Sequence, residues 1–213
     1  MKVIDLTYVI EENMPVFPGT EKPTLTKANT FEKDSFRETK ITMYSHTGTH
    51  VDAPAHMLSQ GAYLEKLEIE RFIGKATVLD FSNRAIPLID VEDLEIYEKI
   101  ISKVEFIIIK TGWGKYWGSE EYYGSFPVLT EAAALWLTKF NLKGIALDAI
   151  SIDNISSTEF SVHKILLEKN ILIIENLTNL EAIKKEFFLL SVMPLKYKNT
   201  DGAPARVVAI EDF

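Results

Sequence analysis

The chain has 213 residues, 46% hydrophobic and 25% charged, with a formal net charge of −8 and no cysteine. Such a composition describes a soluble globular protein long enough to bury a sizeable core. The acidic balance speaks against a nucleic-acid partner, and the missing thiols exclude disulfides, thiolate metal sites and cysteine nucleophiles.

Eight short β-rich runs recur along the chain, at 2–7, 37–44, 76–81, 104–110, 144–148, 171–174, 187–192 and 206–210. Several are almost continuously apolar, as in strands covered on both faces. Helical spacing occupies 91–102, 130–141 and 158–169. Thr130 is a plausible N-cap for the second, and Phe160, His163 and Leu167 share a stripe on the third. With no repeat or linker, the alternation predicts one mixed α/β domain over residues 1–213. The N-terminus lacks a basic segment followed by a long apolar stretch, so no signal peptide is expected. Apolar runs such as Phe106 to Ile109 fall far short of a membrane span. A cytoplasmic protein without a membrane partner is the expectation.

Two segments read as loops. Residues 12–23 hold three prolines and a glycine around Pro15, Phe17, Pro18 and Gly19, and residues 111–126 are rich in glycine and aromatics. Loops of this composition either line pockets or cover a core edge. Phe17, Trp113 and Trp117 are the candidate substrate-binding residues.

Three of the four histidines fall inside eleven residues, His46-Thr-Gly-Thr-His50-Val-Asp52-Ala-Pro-Ala-His56, and the fourth, His163, precedes an apolar run ending at Glu175. Neutral imidazole and carboxylate are common ligands of divalent metals. His46, His50, Asp52 and His56 are all even-numbered, so in extended chain they would project from one face. Residues ten apart in a straight strand span roughly 33 Å, so the chain must bend; Gly48 and Pro54 supply bends. Both also disfavour a helix through the motif, which separates it from helical HExxH sites. His46, His50 and Asp52 are close enough to hold one ion and leave a position open for water, as catalytic sites do. His56 could be a further ligand or a free proton shuttle. Glu175 and His163 could complete a second metal position through shared carboxylates. A structural zinc site would more typically use cysteine. No GxSxG elbow, Walker A loop or Rossmann glycine fingerprint is present.

The run from His46 to His56 resembles the HxGTHxDxPxH signature of the metal-dependent cyclase-like hydrolases, a family that includes bacterial kynurenine formamidase and isatin hydrolase. The resemblance extends over nearly the whole chain, from Ile4-Asp5-Leu6-Thr7 and the Pro15–Gly19 loop through Lys110–Trp113, Gly144–Asp148, Ser151-Ile-Asp153 and His163 to Glu175-Asn-Leu177 and Asp201–Arg206. It implies the swivelling β/β/α architecture of that family. By the same resemblance His46, His50 and Asp52 would hold a first metal, Asp52 and Glu175 would bridge to a second carrying His163, and His56 would be the general acid/base. The cofactor would be one or two zinc ions, or manganese, and the assembly a homodimer or larger homo-oligomer.

The implied activity is hydrolysis of a small aromatic amide at a carbon–nitrogen bond by metal-bound hydroxide, as in the conversion of N-formylkynurenine to kynurenine and formate. Hydrolysis of a cyclic amide or lactone is the alternative, and a non-catalytic metal-binding protein of the same fold a third. Kynurenine formamidases of this family typically carry Trp where this chain has Phe17, whose ring can stack but lacks the indole N–H.

Overall fold

The computed structural model describes residues 1–83 and 87–212. Among them are strands β1 (Lys2–Asp5), β2 (Thr24–Asn29), β3 (Glu38–Thr42), β4 (His50–Asp52), β5 (Ile73–Asp80), β6 (Leu88–Ile89), β7 (Phe106–Lys110), β8 (Val128–Leu129), β9 (Gly144–Leu147), β10 (Leu172–Glu175), β11 (Phe188–Pro194) and β12 (Gly202–Glu211). The helices are α1 (Phe31–Asp34), α2 (Pro54–Met57), α3 (Val91–Glu95), α4 (Glu98–Ile101), α5 (Glu131–Leu137) and α6 (Ser161–Glu168). None is long and apolar enough to cross a membrane.

The main sheet runs β1-β12-β11-β5-β7-β9-β10-β4, and β4 also pairs with β12, closing the sheet into a barrel-like wall. The ten residues of β12 allow this: Gly202, Ala203 and Pro204 pair with β4, while Val208 to Glu211 pair with β1 on the same edge. Strands β5, β7, β9 and β10 are parallel. The closing pairs, β10 with β4 and β4 with β12, are antiparallel.

Side-chain alternation separates two cores. Phe106 and Ile108 share the inner core with Val51, Leu172, Ile174, Phe188 and the small residues Ala203, Ala205 and Ala209. Ile107, Ile109, Ile145, Leu147 and Ile173 belong to the outer core, with Ala133 and Leu137 of α5 and Val162 and Leu166 of α6. Fully burying one such aliphatic or aromatic side chain contributes about 1.5–3 kcal/mol. These near-continuous apolar strands are buried on both faces, and the mixed α/β arrangement is the one the sequence predicts.

Local differences have physical causes. The 37–44 run does not join the main sheet: β3 pairs with β2 in a largely exposed hairpin. Residues 91–102 form two short helices, broken at Tyr97 (φ −100°, ψ 1°), whose ring packs edge-on against Phe81. Thr130 caps α5 as expected, its side chain accepting from Ala133 N–H. The helix expected from residue 158 starts only at Ser161, because Phe160 takes a left-handed backbone (φ 50°, ψ 47°).

Candidate metal centre

Parity places the histidines. Val51 points into the barrel, so its neighbours His50 and Asp52 face outward. On the adjacent strand Ile174 points inward and Glu175 outward. The antiparallel register sets Glu175 directly opposite His50, and Asp52 opposite Ile173. Helix α6 packs over this seam and delivers His163. His46 precedes β4 on a turn made possible by Gly48 (φ +67°). His56 lies on α2, a single turn with Pro54 at its start and an extended Ala53 before it. The motif is therefore not helical through its length, but the one-turn helix at its end was not expected.

Four groups converge. His50 Nε2 lies 3.3 Å from Asp52 Oδ1 and 3.5 Å from Glu175 Oε2. His163 Nε2 lies 3.6 Å from Asp52 Oδ2 and 3.5 Å from Glu175 Oε1. Each carboxylate thus shows one oxygen to each imidazole. His46 Nδ1 approaches Asp52 Oδ1 at 2.7 Å. Ligand atoms of His46, Asp52 and His56 also cluster within 4.8 Å of one another, and the His46 and His56 rings lie 3.9 Å apart.

The outer nitrogens are engaged. His50 Nδ1 donates to the Gly48 carbonyl at 2.7 Å, an acceptor held in place by Asn176 Nδ2. His163 Nδ1 meets Asp153 Oδ2 at 2.6 Å, and His46 Nε2 meets Asp201 Oδ2 at 3.2 Å. Such contacts turn the Nε2 atoms of His50 and His163 toward the centre. Asp153 has a second task, accepting the Val162 and His163 backbone N–H groups at the start of α6. Gly202 is required by close approach, since a Cβ there would meet the His46 ring at 2.3 Å.

These residues fit a divalent metal. Asp52 Oδ2 is buried without a hydrogen-bond partner, a costly state for a carboxylate oxygen unless a cation satisfies it. Two donors on one tetrahedral zinc, each about 2.1 Å from it, lie about 3.4 Å apart, close to the separations between these imidazoles and carboxylates. The charges agree. Burial pushes the His46 imidazole down, but the Asp52 charge and the bonds to Asp201 and Asp52 outweigh it and carry it up to about 10. Burial likewise opposes His163, and Asp153 and Glu175 carry it up to about 10. The Asp52 carboxyl is held well below its usual range: burial works against this, and the neighbouring His46 prevails. The carboxylates thus draw protons onto two imidazoles, and a bound cation would displace them. His56 moves the other way, down to about 4, through burial and its imidazole neighbours.

The centre opens into a cavity of about 400 Å³ whose lining includes His46, His50, His56, His163 and Glu175. Phe17 lines it too. Trp113 and Trp117 do not: Trp113 donates its indole N–H to the Tyr122 carbonyl, and Trp117 stacks on Tyr8 at 3.7 Å. Their loop is pinned by Asp148, which accepts from Thr111 and Gly112, and neither indole is part of that lining. Asp201, Asn176, Tyr44 and Phe160 also line the cavity and Asp153 braces His163, roles that no local sequence pattern signals. The Ser151-Ile-Asp153 and Asp201-Gly-Ala segments were visible as motif, without a task for either carboxylate.

Residues 4–154 match the Cyclase family model, and the chain belongs to the cyclase family. It is 30% identical over 205 residues to the kynurenine formamidase of Geobacillus thermodenitrificans, covering 95% of this chain and 94% of that one. A solved structure of a potential metal-dependent hydrolase with cyclase activity superimposes with a TM-score of 0.83 at 28% identity, covering 100% of this chain and 98% of the other. Isatin hydrolase A from Labrenzia aggregata shares the fold, with a TM-score of 0.88 at 23% identity over 98% and 93% of the two chains.

Proposed function

We propose that this chain is a metal-dependent hydrolase cleaving the carbon–nitrogen bond of a small aromatic amide, of the aryl formamide type. The observation that carries this reading is the pair of carboxylates, Asp52 and Glu175, each spanning from His50 to His163, with one buried Asp52 oxygen left without a hydrogen bond. The kynurenine formamidase relative supports the amide bond as target. His46, His50, Asp52, Glu175 and His163 would hold one or two ions, zinc or manganese. The bound metal supplies a Lewis acid for the amide oxygen and acidifies water at neutral pH.

The protein's own groups do the rest. Asp153 and the Gly48 carbonyl fix the two imidazoles that face both carboxylates. Burial of Asp52 and Glu175 keeps the centre in a low-dielectric setting, where charge stabilisation is strongest. His56, beside His46 at the cavity wall, takes the proton of the attacking water and returns it to the leaving nitrogen. Phe17 offers a ring face to the aromatic part of the substrate.

The test is to purify the protein without added metal, measure its metal content, strip it with a chelator and restore zinc or manganese. Hydrolysis is then followed on formanilide beside a cyclic amide and a lactone. Metal-dependent turnover of the formamide is expected. Turnover confined to the cyclic compounds would move the substrate to the ring-opening class, and none with either metal would favour a non-catalytic metal-binding protein.

A further inference from the structure

We propose that the cavity selects an uncharged aromatic amide and discriminates against the same amide carrying a carboxylate. This inference rests on the hydrolase reading and names its substrate class. Beyond the histidines, the ionisable side chains lining the cavity among the described residues are Glu175, Asp201 and the phenol Tyr44; no lysine or arginine lines it. Glu175 is buried in the metal centre. Asp201, partly exposed, already accepts from Ser45 and meets His46. A carboxylate placed on the wall away from the histidines would lose hydration, meet no lysine or arginine and face Asp201. A carboxylate drawn to a bound metal would occupy the place of the reacting amide and inhibit.

The apolar part of the wall favours a flat ring. Phe17 and Phe160 lie 6.5 Å apart at 52°, and the Phe160 ring stands edge-on to His163 at 5.8 Å. Phe160 is held there by a left-handed backbone that a bulky residue adopts at a cost. Met57 and Ile150 add aliphatic surface. The cavity volume, about 400 Å³, lies at the smaller end for ligand sites, which suits one ring and a short substituent.

The experiment uses the metal-restored full chain and two probes that share an aryl ketone and a formamide. One is 2-formamidoacetophenone; the other is 4-(2-formamidophenyl)-4-oxobutanoate, which adds only a carboxylate on a short chain. The neutral probe is expected to show kcat/KM higher by about tenfold or more, the scale of leaving a buried charge unpaired. Equal values, or preference for the carboxylate probe, would overturn the proposal. Tyr44→Lys places a cation at an exposed position of the lining and should shift the ratio toward the charged probe; an unchanged ratio would reject the charge argument. Phe160→Ala should raise KM for the neutral probe with metal content unchanged. If neither probe is hydrolysed, the hydrolase reading falls, and equilibrium binding decides the selectivity separately: tighter binding of the neutral probe sustains it, and equal, reversed or undetectable binding sinks it.

Discussion

Strands β4 and β10 carry two different chemistries on their two faces. Inward, Val51 and Ile174 are fully buried in an apolar core where packing is the whole interaction. Outward, His50, Asp52 and Glu175 are nearly as buried, yet they face each other as polar groups and include an oxygen with no hydrogen-bond partner. The same backbone and nearly the same burial give satisfied packing on one side and unmet electrostatic demand on the other. The contrast shows that burial alone does not mark a site; burial with an unfilled requirement does. It also pins the register, since a slip of one residue would push His50 and Asp52 into the barrel and turn Val51 outward.

The largest break of this comparison is Asp52→Ala. It removes the carboxylate shared by all the surrounding imidazoles, and both bound metal and amide hydrolysis should disappear while circular dichroism still reports a folded chain. Normal metal content would take Asp52 out of the ligand set. His56→Ala should keep its metal and lose about 10²–10⁴ in turnover, the range of general acid–base catalysis; undiminished activity would reject the proton-transfer role. Asp153→Asn keeps the shape beside His163 but removes the charge, and metal affinity measured by chelator competition should fall about 10–100-fold. An unchanged affinity would confine Asp153 to capping α6. The smallest effect belongs to the inner face. Ile174→Val should cost about 0.5–1.5 kcal/mol in urea unfolding and leave metal affinity where it was. A shift in affinity would show that the two faces are not independent.

Much of the centre was legible because its determinants are local. His46, His50 and Asp52 sit within seven residues, and the odd–even rule sends His50 and Asp52 to one face wherever the segment is extended. Glu175 was visible as a carboxylate ending an apolar run. His163 was visible as a polar member of an otherwise apolar helical stripe. The tasks of Asp153 and Asp201 were not legible, because each acts through a histidine that only folding brings near: Asp201 is 155 positions from His46. The place of the aromatic loop was not legible for a related reason. Trp113 and Trp117 have the composition of a pocket wall, but Tyr122 and Tyr8 engage the two indoles outside the lining of the histidine cavity, and composition carries no direction.

The amino-acid order by itself determined which residue types carry chemistry, which strands are apolar on both faces and where the chain bends, since these depend on neighbours a few positions away. The closing of the sheet decided everything that needs distance. One long strand, β12, borders both β1 and β4 and brings the seam of β4 and β10 under α6. Whether carboxylates from residues 52 and 175 share two imidazoles is a matter of ångströms fixed by strand register and helix packing, which no local pattern encodes.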